Sequence, residues 1–130
     1  SYLAEIFMKE KANSHRFMTL CRAARELQEK QDNIVFRVRD LRRPFESANG
    51  NIVRAMNLIN RSYFADAEIT RIIRNIFDSL EEGGLFVTGS NQDSNSDVRG
   101  GVYLRNGTGF KPVYENAGGS PVRDLILGSL

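Results

Sequence analysis

The fold of this chain is constrained most strongly by one amphipathic segment, which is followed by a double glycine and then by an apolar stretch. From Asp66 onward, large apolar side chains recur three and four residues apart, which predicts a helix with one buried face. Asp66 is the predicted N-cap, because its carboxylate suits the positive end of a helix. Gly83–Gly84 predicts the helix end, and Leu85–Thr88 predicts a strand buried on both faces. The apolar positions of the helix are Ile69, Ile72, Ile73, Ile76, Phe77 and Leu80.

Two strands are predicted before this helix. Ile34–Arg39 alternates apolar side chains with arginines and is followed by Pro44, which together predict a strand. Asn51–Met56 follows the turn signal Asn49–Gly50. The apolar spacing of this second segment also suits a helix, but a short run directly after a turn favours a buried strand.

The remaining segments complete an α/β pattern. Apolar spacing predicts a helix over Ser14–Lys30, with a shorter helical segment before it that is either separate or continuous through a kink. Val102–Arg105 and Phe110–Tyr114 flank Asn106–Gly107, a pair that supplies the positive φ angles of a tight hairpin turn. Val122–Leu127 suits either a helical turn or an edge strand. We therefore predict one α/β domain over residues 1–130, whose sheet begins with parallel crossovers and ends in an antiparallel hairpin.

Composition excludes several classes of protein. The chain has 130 residues, of which 41% are hydrophobic and 26% charged, and it contains no apolar run long enough to cross a bilayer. Ser1–Asn13 lacks the apolar centre of a secretory signal. Cys21 is the single cysteine and His15 the single histidine, so the chain has neither an internal disulfide nor a zinc-ligand set. These features predict a cytoplasmic, metal-free protein with no membrane partner.

The basic residues are concentrated in the first half of the chain. Residues 1–61 hold 12 Lys and Arg against 7 Asp and Glu. An anionic partner such as a nucleic acid would explain this excess. We favour the alternative that these are solvated arginines on strand ends and helix faces, because the excess is small and no aromatic side chains are interleaved to stack bases. A nucleic-acid partner is therefore the last-ranked hypothesis.

Three segments, taken in order, resemble the latter half of a class I S-adenosylmethionine-dependent methyltransferase. They are "IVFRVRDLRRPFE", "NIVRAMNLINRSYF" and "AEITRIIRNIFDSLEEGGLFVTGSN". In that family an Asp follows the third strand, a polar segment follows the fourth, and an amphipathic helix leads through a double glycine to the fifth. The stretch "GGVYLRNGTGFKPVYENAGGSPVRDLIL" stands where the family has its last two strands. "RAMNLINRSYF" and "FDSLEEGGLFVTGSN" are also similar, more weakly, to the chemotaxis-receptor methyltransferases.

The resemblance implies a partial Rossmann-like sheet with S-adenosylmethionine as cofactor and an unspecified methyl acceptor. Ligands of such sheets bind beyond the carboxyl ends of the strands. By resemblance, Asp40 accepts a hydrogen bond from the adenine amino group, and Leu41 lies against the adenine ring. Asn57 lies near the methionine part of the cofactor or the acceptor, and Asn60 and Tyr63 border the acceptor pocket. Gly89, Ser90 and Asn91, which follow the predicted fifth strand, are expected at the same edge.

Ordinary structural roles also suit these residues. Asp40 could cap a turn before Pro44, Asn57 could be satisfied within a loop, and Tyr63 could pack into the core. His15 is not a candidate base, and no catalytic residue is assigned, because methyl transfer from a sulfonium is promoted mainly by proximity and orientation.

Two elements of the family are missing from the chain. The glycine-rich turn after the first strand and the acid after the second have no counterpart, and no glycine occurs before residue 30. The chain is then the carboxyl-terminal piece of a longer enzyme, a naturally truncated form, or outside the family; we favour the first. A sheet without its central strand exposes a parallel edge, which predicts a homo-oligomer. The alternative to a methyltransferase domain is a non-catalytic interaction module that self-associates through this edge.

Overall fold

A computed structural model describes residues 22–31, 33, 37–45, 50–91 and 97–128. The chain divides into two units, Ser1–Asp40 and Leu41–Leu130. In the first unit, helix α1 spans Arg22–Lys30, and none of its residues is buried. This helix confirms the described part of the prediction for Ser14–Lys30, and the helical pattern before residue 14 lies outside the described residues.

The predicted strand at Ile34–Arg39 is wrong over its described part. Residues 34–36 lie outside the described residues, whereas Arg37–Arg39 is exposed and belongs to no strand. Val38, an apolar residue of the predicted strand, is 51% exposed. Alternating side chains make a strand only where a neighbouring strand accepts and donates the backbone hydrogen bonds, and no described strand pairs with this segment.

The second unit is built on a four-stranded sheet in the order β1-β2-β3-β4. Strands β1 and β2 are parallel, and β2, β3 and β4 pair antiparallel. The predicted α/β class is therefore confirmed, and the predicted parallel crossover occurs once among the described strands. The elements are β1 at Gly50–Met56, α2 at Asp66–Ser79, β2 at Leu80–Ser90, β3 at Arg99–Asn106, β4 at Gly109–Asn116 and α3 at Arg123–Gly128.

Helix α2 forms as its apolar spacing predicts, but its N-cap differs from the prediction. Ala65 is the N-cap, and its backbone N–H donates to Glu68 Oε1 at 3.2 Å. Asp66 is instead the first helical residue, and its carboxylate accepts a hydrogen bond from Arg61 Nε at 2.8 Å. The prediction failed because the arginine that engages Asp66 comes from the preceding loop.

The double glycine does not end α2. The helix ends at Ser79, and β2 begins at Leu80, so Gly83–Gly84 lies inside the strand. Between the pairs Gly50↔Leu80 and Ile52↔Leu85, β2 advances five residues while β1 advances two. Gly83 has φ 83°, a conformation that side chains disfavour. The glycines therefore accommodate a bulge in β2.

The core of the second unit lies on one face of the sheet. Helices α2 and α3 pack there against Phe86, Tyr103 and Phe110, and the Phe77 ring meets the Phe110 ring edge-on at 5.3 Å. On β2, Phe86 and Thr88 are buried, while the alternate residues Leu85 and Val87 are only half-buried. The prediction of a strand buried on both faces is therefore wrong, because the described helices that pack on the sheet cover only the Phe86 face.

The closing hairpin is confirmed, and the tail is resolved in favour of a helix. Strands β3 and β4 are joined by a two-residue turn between Asn106 and Gly109. Gly107 takes the positive φ of 67° that this turn needs, whereas Asn106 remains in β3. The apolar tail forms α3, with Ile126 buried in the core.

Candidate functional site

The carboxyl ends of the parallel strands β1 and β2 lie at one edge of the sheet, where ligands of α/β sheets bind. Four polar side chains follow or end these strands: Asn57, Asn60, Ser90 and Asn91. We refer to these residues as the strand-end cluster. The contacts of the cluster show which of its members hold the structure and which have hydrogen-bonding capacity to spare.

Asn57 ties the two strand ends together. It follows β1 directly and has φ 58°, a left-handed conformation that asparagine tolerates better than most residues. Its backbone N–H donates to Gly89 O at 2.8 Å, and its Oδ1 accepts the N–H of Asn91 at 2.9 Å. The residue predicted to lie near the cofactor is therefore also the link between β1 and the end of β2.

Asn60 shapes the loop that carries Tyr63. Asn60 is 4% exposed, and its Oδ1 accepts the N–H of Ser62 at 2.8 Å, an Asx turn. Its carbonyl oxygen accepts the N–H groups of Tyr63 and Phe64, each at 3.2 Å. Tyr63 is 66% exposed, so its ring projects from this loop and is accessible.

Two buried hydroxyl groups on β2 differ in their hydrogen bonding. Thr88 Oγ1 donates to Ala55 O on β1 at 2.8 Å. Ser90 Oγ is buried and has no hydrogen-bond partner among the described residues. Because buried polar groups nearly always have a partner, the Ser90 hydroxyl is the group of the strand-end cluster with unused hydrogen-bonding capacity.

Arg61 anchors the loop after β1 to both helices of the second unit. Its Nε donates to Asp66 at the start of α2 at 2.8 Å, and its Nη2 donates to Asp124 on α3 at 2.9 Å. Its Nη1 donates to Pro121 O at 3.1 Å. The hydrogen bonds to Asp66 and Asp124 raise the pKa of Arg61, and the bond from Arg61 lowers the pKa of Asp124.

The five residues assigned by resemblance fall in different places. Asn57 and Asn60 belong to the strand-end cluster, and Tyr63 lies on the same loop. Leu41 is half-buried against the core, and its carbonyl oxygen accepts Asn75 Nδ2 at 2.9 Å. Asp40 is the last residue of the first unit and is exposed. The binding roles of all five stay predictions.

The sequence analysis did not identify Arg61 as a structural residue of this site. The only local signal was an arginine within a polar segment between a strand and a helix. Its partner Asp124 lies 63 positions away, so no pattern of neighbouring residues indicates the contact.

The strand-end cluster lacks a glycine cradle for a cofactor. The segment between β1 and α2, residues 57–65, contains no glycine. Gly89 lies near the cluster, but a Cβ there would lie 2.8 Å from Arg99 O and 3.0 Å from Gly100 Cα. The space beside this glycine is therefore filled by β3 and is not open to a ligand. The described residues therefore offer polar contacts at the strand ends but not the backbone turn that holds S-adenosylmethionine in the family the sequence resembles.

Comparison of the chain with protein-family models, curated proteins and solved structures finds no match. Within the described ranges, no three His, Cys, Asp or Glu side chains are grouped to hold a metal ion. No helix of that part of the chain combines the length and apolar character needed to span a membrane.

Proposed function

We propose that this chain forms the carboxyl-terminal part of a class I S-adenosylmethionine-dependent methyltransferase domain. Two findings support the proposal. The unit β1–α2–β2 is a parallel crossover followed by an antiparallel hairpin, in the order that the resembling segments imply. The observation that carries it is the buried hydroxyl of Ser90, which has no partner in the described part of the chain and lies beside the Asn57–Asn91 link, at the sheet edge where such ligands bind.

The proposal gives the described residues limited roles. Asn57 holds the strand ends in place, Ser90 offers a hydrogen bond to the ligand, and the exposed ring of Tyr63 borders the acceptor. Asp40 and Leu41 keep the adenine contacts that the resemblance implies. S-Adenosylmethionine supplies an electrophilic methyl group when bound. Because the glycine cradle is not among the described residues, we assign these side chains binding and orientation alone.

The test is a calorimetric titration of S-adenosylmethionine into the chain and its variants. Because the glycine cradle is not among the described residues, we expect weak binding by the parent chain and a further loss of affinity of about three- to tenfold in Ser90→Ala and Asp40→Ala, the effect of one hydrogen bond. Lys111→Ala is the control, because Lys111 is exposed on β4. Absence of heat from the parent chain, or equal affinities in all four proteins, contradicts the proposal.

Ser90→Ala also separates a binding role from a structural one. Its hydroxyl is buried without a partner in the described part of the chain, so removing it leaves no broken hydrogen bond behind. We expect the free energy of unfolding to stay constant or rise while the affinity falls. A parallel fall in stability would instead assign Ser90 to the fold.

A second candidate function is a non-catalytic module that self-associates through the outer edge of β1. Strand β1 is an edge strand of the described sheet, and Ile52 on it is 64% exposed. Unpaired strand edges are templates for pairing with another chain. Under this alternative, light scattering on a gel-filtration column detects an oligomer that Ile52→Lys dissociates, whereas a monomeric parent chain contradicts it.

A further inference from the structure

The tip of the β3–β4 hairpin carries an Asn–Gly pair at the surface. Asn106 is the last residue of β3 and Gly107 the first residue of the turn, and both are exposed. In such a pair the backbone nitrogen that follows the asparagine can attack the side-chain amide carbon and close a five-membered ring. Glycine offers the least hindrance to this attack because it has no Cβ, and nothing lies within 4 Å of the position that a Cβ of Gly107 would take.

The attacking nitrogen is engaged in the folded chain. The Gly107 N–H donates to the Glu82 carboxylate of β2, at 2.9 Å to Oε2 and 3.2 Å to Oε1. Ring closure requires this amide to lose its hydrogen and to rotate toward the Asn106 side chain. It also requires Asn106 to leave its paired position opposite Gly109 at the end of the hairpin. The hydrogen bond to Glu82 opposes both movements.

We propose that Asn106 is a site of spontaneous deamidation and that the Glu82 carboxylate protects it while the hairpin is folded. In the first step the Gly107 nitrogen bonds to Asn106 Cγ and gives up its proton to solvent. The bond from Cγ to Nδ2 breaks, and the side-chain nitrogen takes up a proton and leaves as ammonia. Water then opens the succinimide at either carbonyl, which leaves aspartate or isoaspartate at position 106.

The products alter the hairpin locally. Either product places a new carboxylate at the residue next to the Glu82 hydrogen bond, and like charges so close repel each other. Isoaspartate also lengthens the backbone by one carbon atom, which is incompatible with the Asn106↔Gly109 pair. Deamidation therefore loosens the turn and weakens the contact with Glu82.

The test measures deamidation of the folded chain during incubation at neutral pH. Peptide mass spectrometry of the segment that contains Asn106 is applied to the parent chain and to Glu82→Ala, Glu82→Gln and Glu81→Ala. We expect Glu82→Ala to deamidate about three- to tenfold faster, the factor that corresponds to one hydrogen bond of ordinary strength. Glu82→Gln retains an acceptor oxygen and Glu81→Ala leaves Glu82 intact, so both are expected to deamidate near the parent rate.

A fully denatured parent chain gives the unprotected rate, and the unfolding midpoint of each variant checks that it is folded at the incubation temperature. Protection predicts that the denatured chain deamidates faster than the folded one. If folded Glu82→Ala deamidates at the parent rate, Glu82 does not protect Asn106. If it deamidates more slowly than the parent chain, Glu82 instead acts as a base that assists the attack, which also contradicts protection. A denatured chain that does not deamidate at Asn106 overturns the site itself. These measurements need no cofactor, so their outcome is independent of the proposed methyltransferase function.

Discussion

Gly89 and Gly100 lie opposite each other where β2 and β3 pair, and their backbones approach too closely for side chains. A Cβ on Gly100 would lie 2.6 Å from Thr88 O and 2.9 Å from Gly89 Cα. Both contacts are to backbone atoms, which cannot move aside as a flexible side chain would. The close approach brings β3 next to the strand end that carries Ser90, whose register partner is Arg99. At the residue scale, the position of the strand-end cluster therefore depends on two glycines.

We predict that Gly100→Ala lowers the free energy of unfolding by about 2 kcal/mol, the usual cost of overpacking. Gly109→Ala is the matched control in the same hairpin, because no atom lies within 4 Å of its added Cβ. Its effect is expected to lie within about 0.5 kcal/mol of zero. Denaturant unfolding of both variants measures the difference, and equal stabilities would show that the sheet shifts to accept the methyl group at no cost.

Helix α2 is held at its carboxyl end by a residue from another element. Arg105 on β3 donates from Nη1 to the carbonyl oxygens of Phe77 and Leu80, and its guanidinium lies 4.2 Å from the centre of the Phe77 ring. Ser79 Oγ donates to Ile76 O at 2.8 Å. The last carbonyl groups of a helix lack partners within the helix, and a cation there also suits the helix dipole. At the element scale, Arg105 therefore caps the carboxyl end of α2, the role that the sequence analysis predicted for the double glycine.

Removing this contact should destabilise the second unit. We predict that Arg105→Ala lowers the free energy of unfolding by about 2 kcal/mol, because it leaves carbonyl groups at the helix end without their charged donor. Arg105→Lys keeps the charge but loses the planar fork and the stacking on Phe77, so its effect should be intermediate. Arg74→Ala is the control: Arg74 also lies near the Phe77 ring, at 5.9 Å, but its pair with Asp78 is exposed. If Arg74→Ala lowers the free energy of unfolding as much as Arg105→Ala does, Arg105 does not act as the helix cap.

Three carboxylates, of which Asp124 is exposed and Glu68 and Glu115 are half-buried, connect separate parts of the second unit through arginines. Arg61 joins Asp124 on α3, Arg123 joins Glu115 on β4, and Arg42 joins Glu68 on α2. The hydrogen bond from Arg61 lowers the pKa of Asp124, and that from Arg123 lowers the pKa of Glu115. The pKa of Glu68 is lowered first by the N–H of Ala65 and then by Arg42. At the scale of the whole molecule, these pairs couple folding to protonation.

The sign of the resulting pH dependence follows from the lowered pKa values. A carboxyl group whose pKa is lower in the folded state contributes stability above its unfolded pKa and loses it as the pH falls through the folded pKa. We therefore predict that the thermal midpoint of unfolding declines between about pH 5 and pH 3, and that high salt reduces the stabilisation at neutral pH. Arg61→Ala should make the decline shallower. Arg54→Ala, which changes an exposed arginine of β1 outside these pairs, should leave it unaltered; a decline of equal slope in Arg61→Ala would contradict the assignment.

Tyr103 makes the stability of the second unit depend on pH in the alkaline range. Burial raises the pKa of the Tyr103 hydroxyl, which donates to Glu115 Oε2 at 3.0 Å and accepts the N–H of Ser120 at 3.1 Å. A group whose pKa is higher in the folded state contributes stability below its unfolded pKa, and that stability is lost as the pH rises through the folded pKa. Stability of the second unit is therefore expected to fall above about pH 10 as well.

The parts of the fold that sequence analysis predicted depend on neighbouring residues. The repeat of Ile69, Ile72, Ile73 and Ile76 predicts α2, and Asn106–Gly107 predicts the hairpin turn, because spacing and glycine's freedom act within a few positions. The prediction for Gly83–Gly84 failed because Arg105, from another strand, binds the carbonyl groups at the end of α2, and the prediction for Asp66 failed because Ala65 is the N-cap. The strand-end residues were located from the predicted strands, whereas the lack of a partner for Ser90 depends on packing.

By itself, the sequence determined the helix α2, the central residues of the four strands, the hairpin turn and the polar character of the strand ends, but it left the tail open between a helix and a strand. Only the tertiary structure decided where α2 ends, that the double glycine forms a bulge, that the core occupies one face of the sheet, and that Ser90 is buried without a described partner. The physical reason is the range of the interactions involved. Periodicity and turn conformation act between residues close in the chain, while caps, bulges and buried polar groups depend on partners such as Arg105 and Asp124, which lie 25 and 63 positions from the groups they bind.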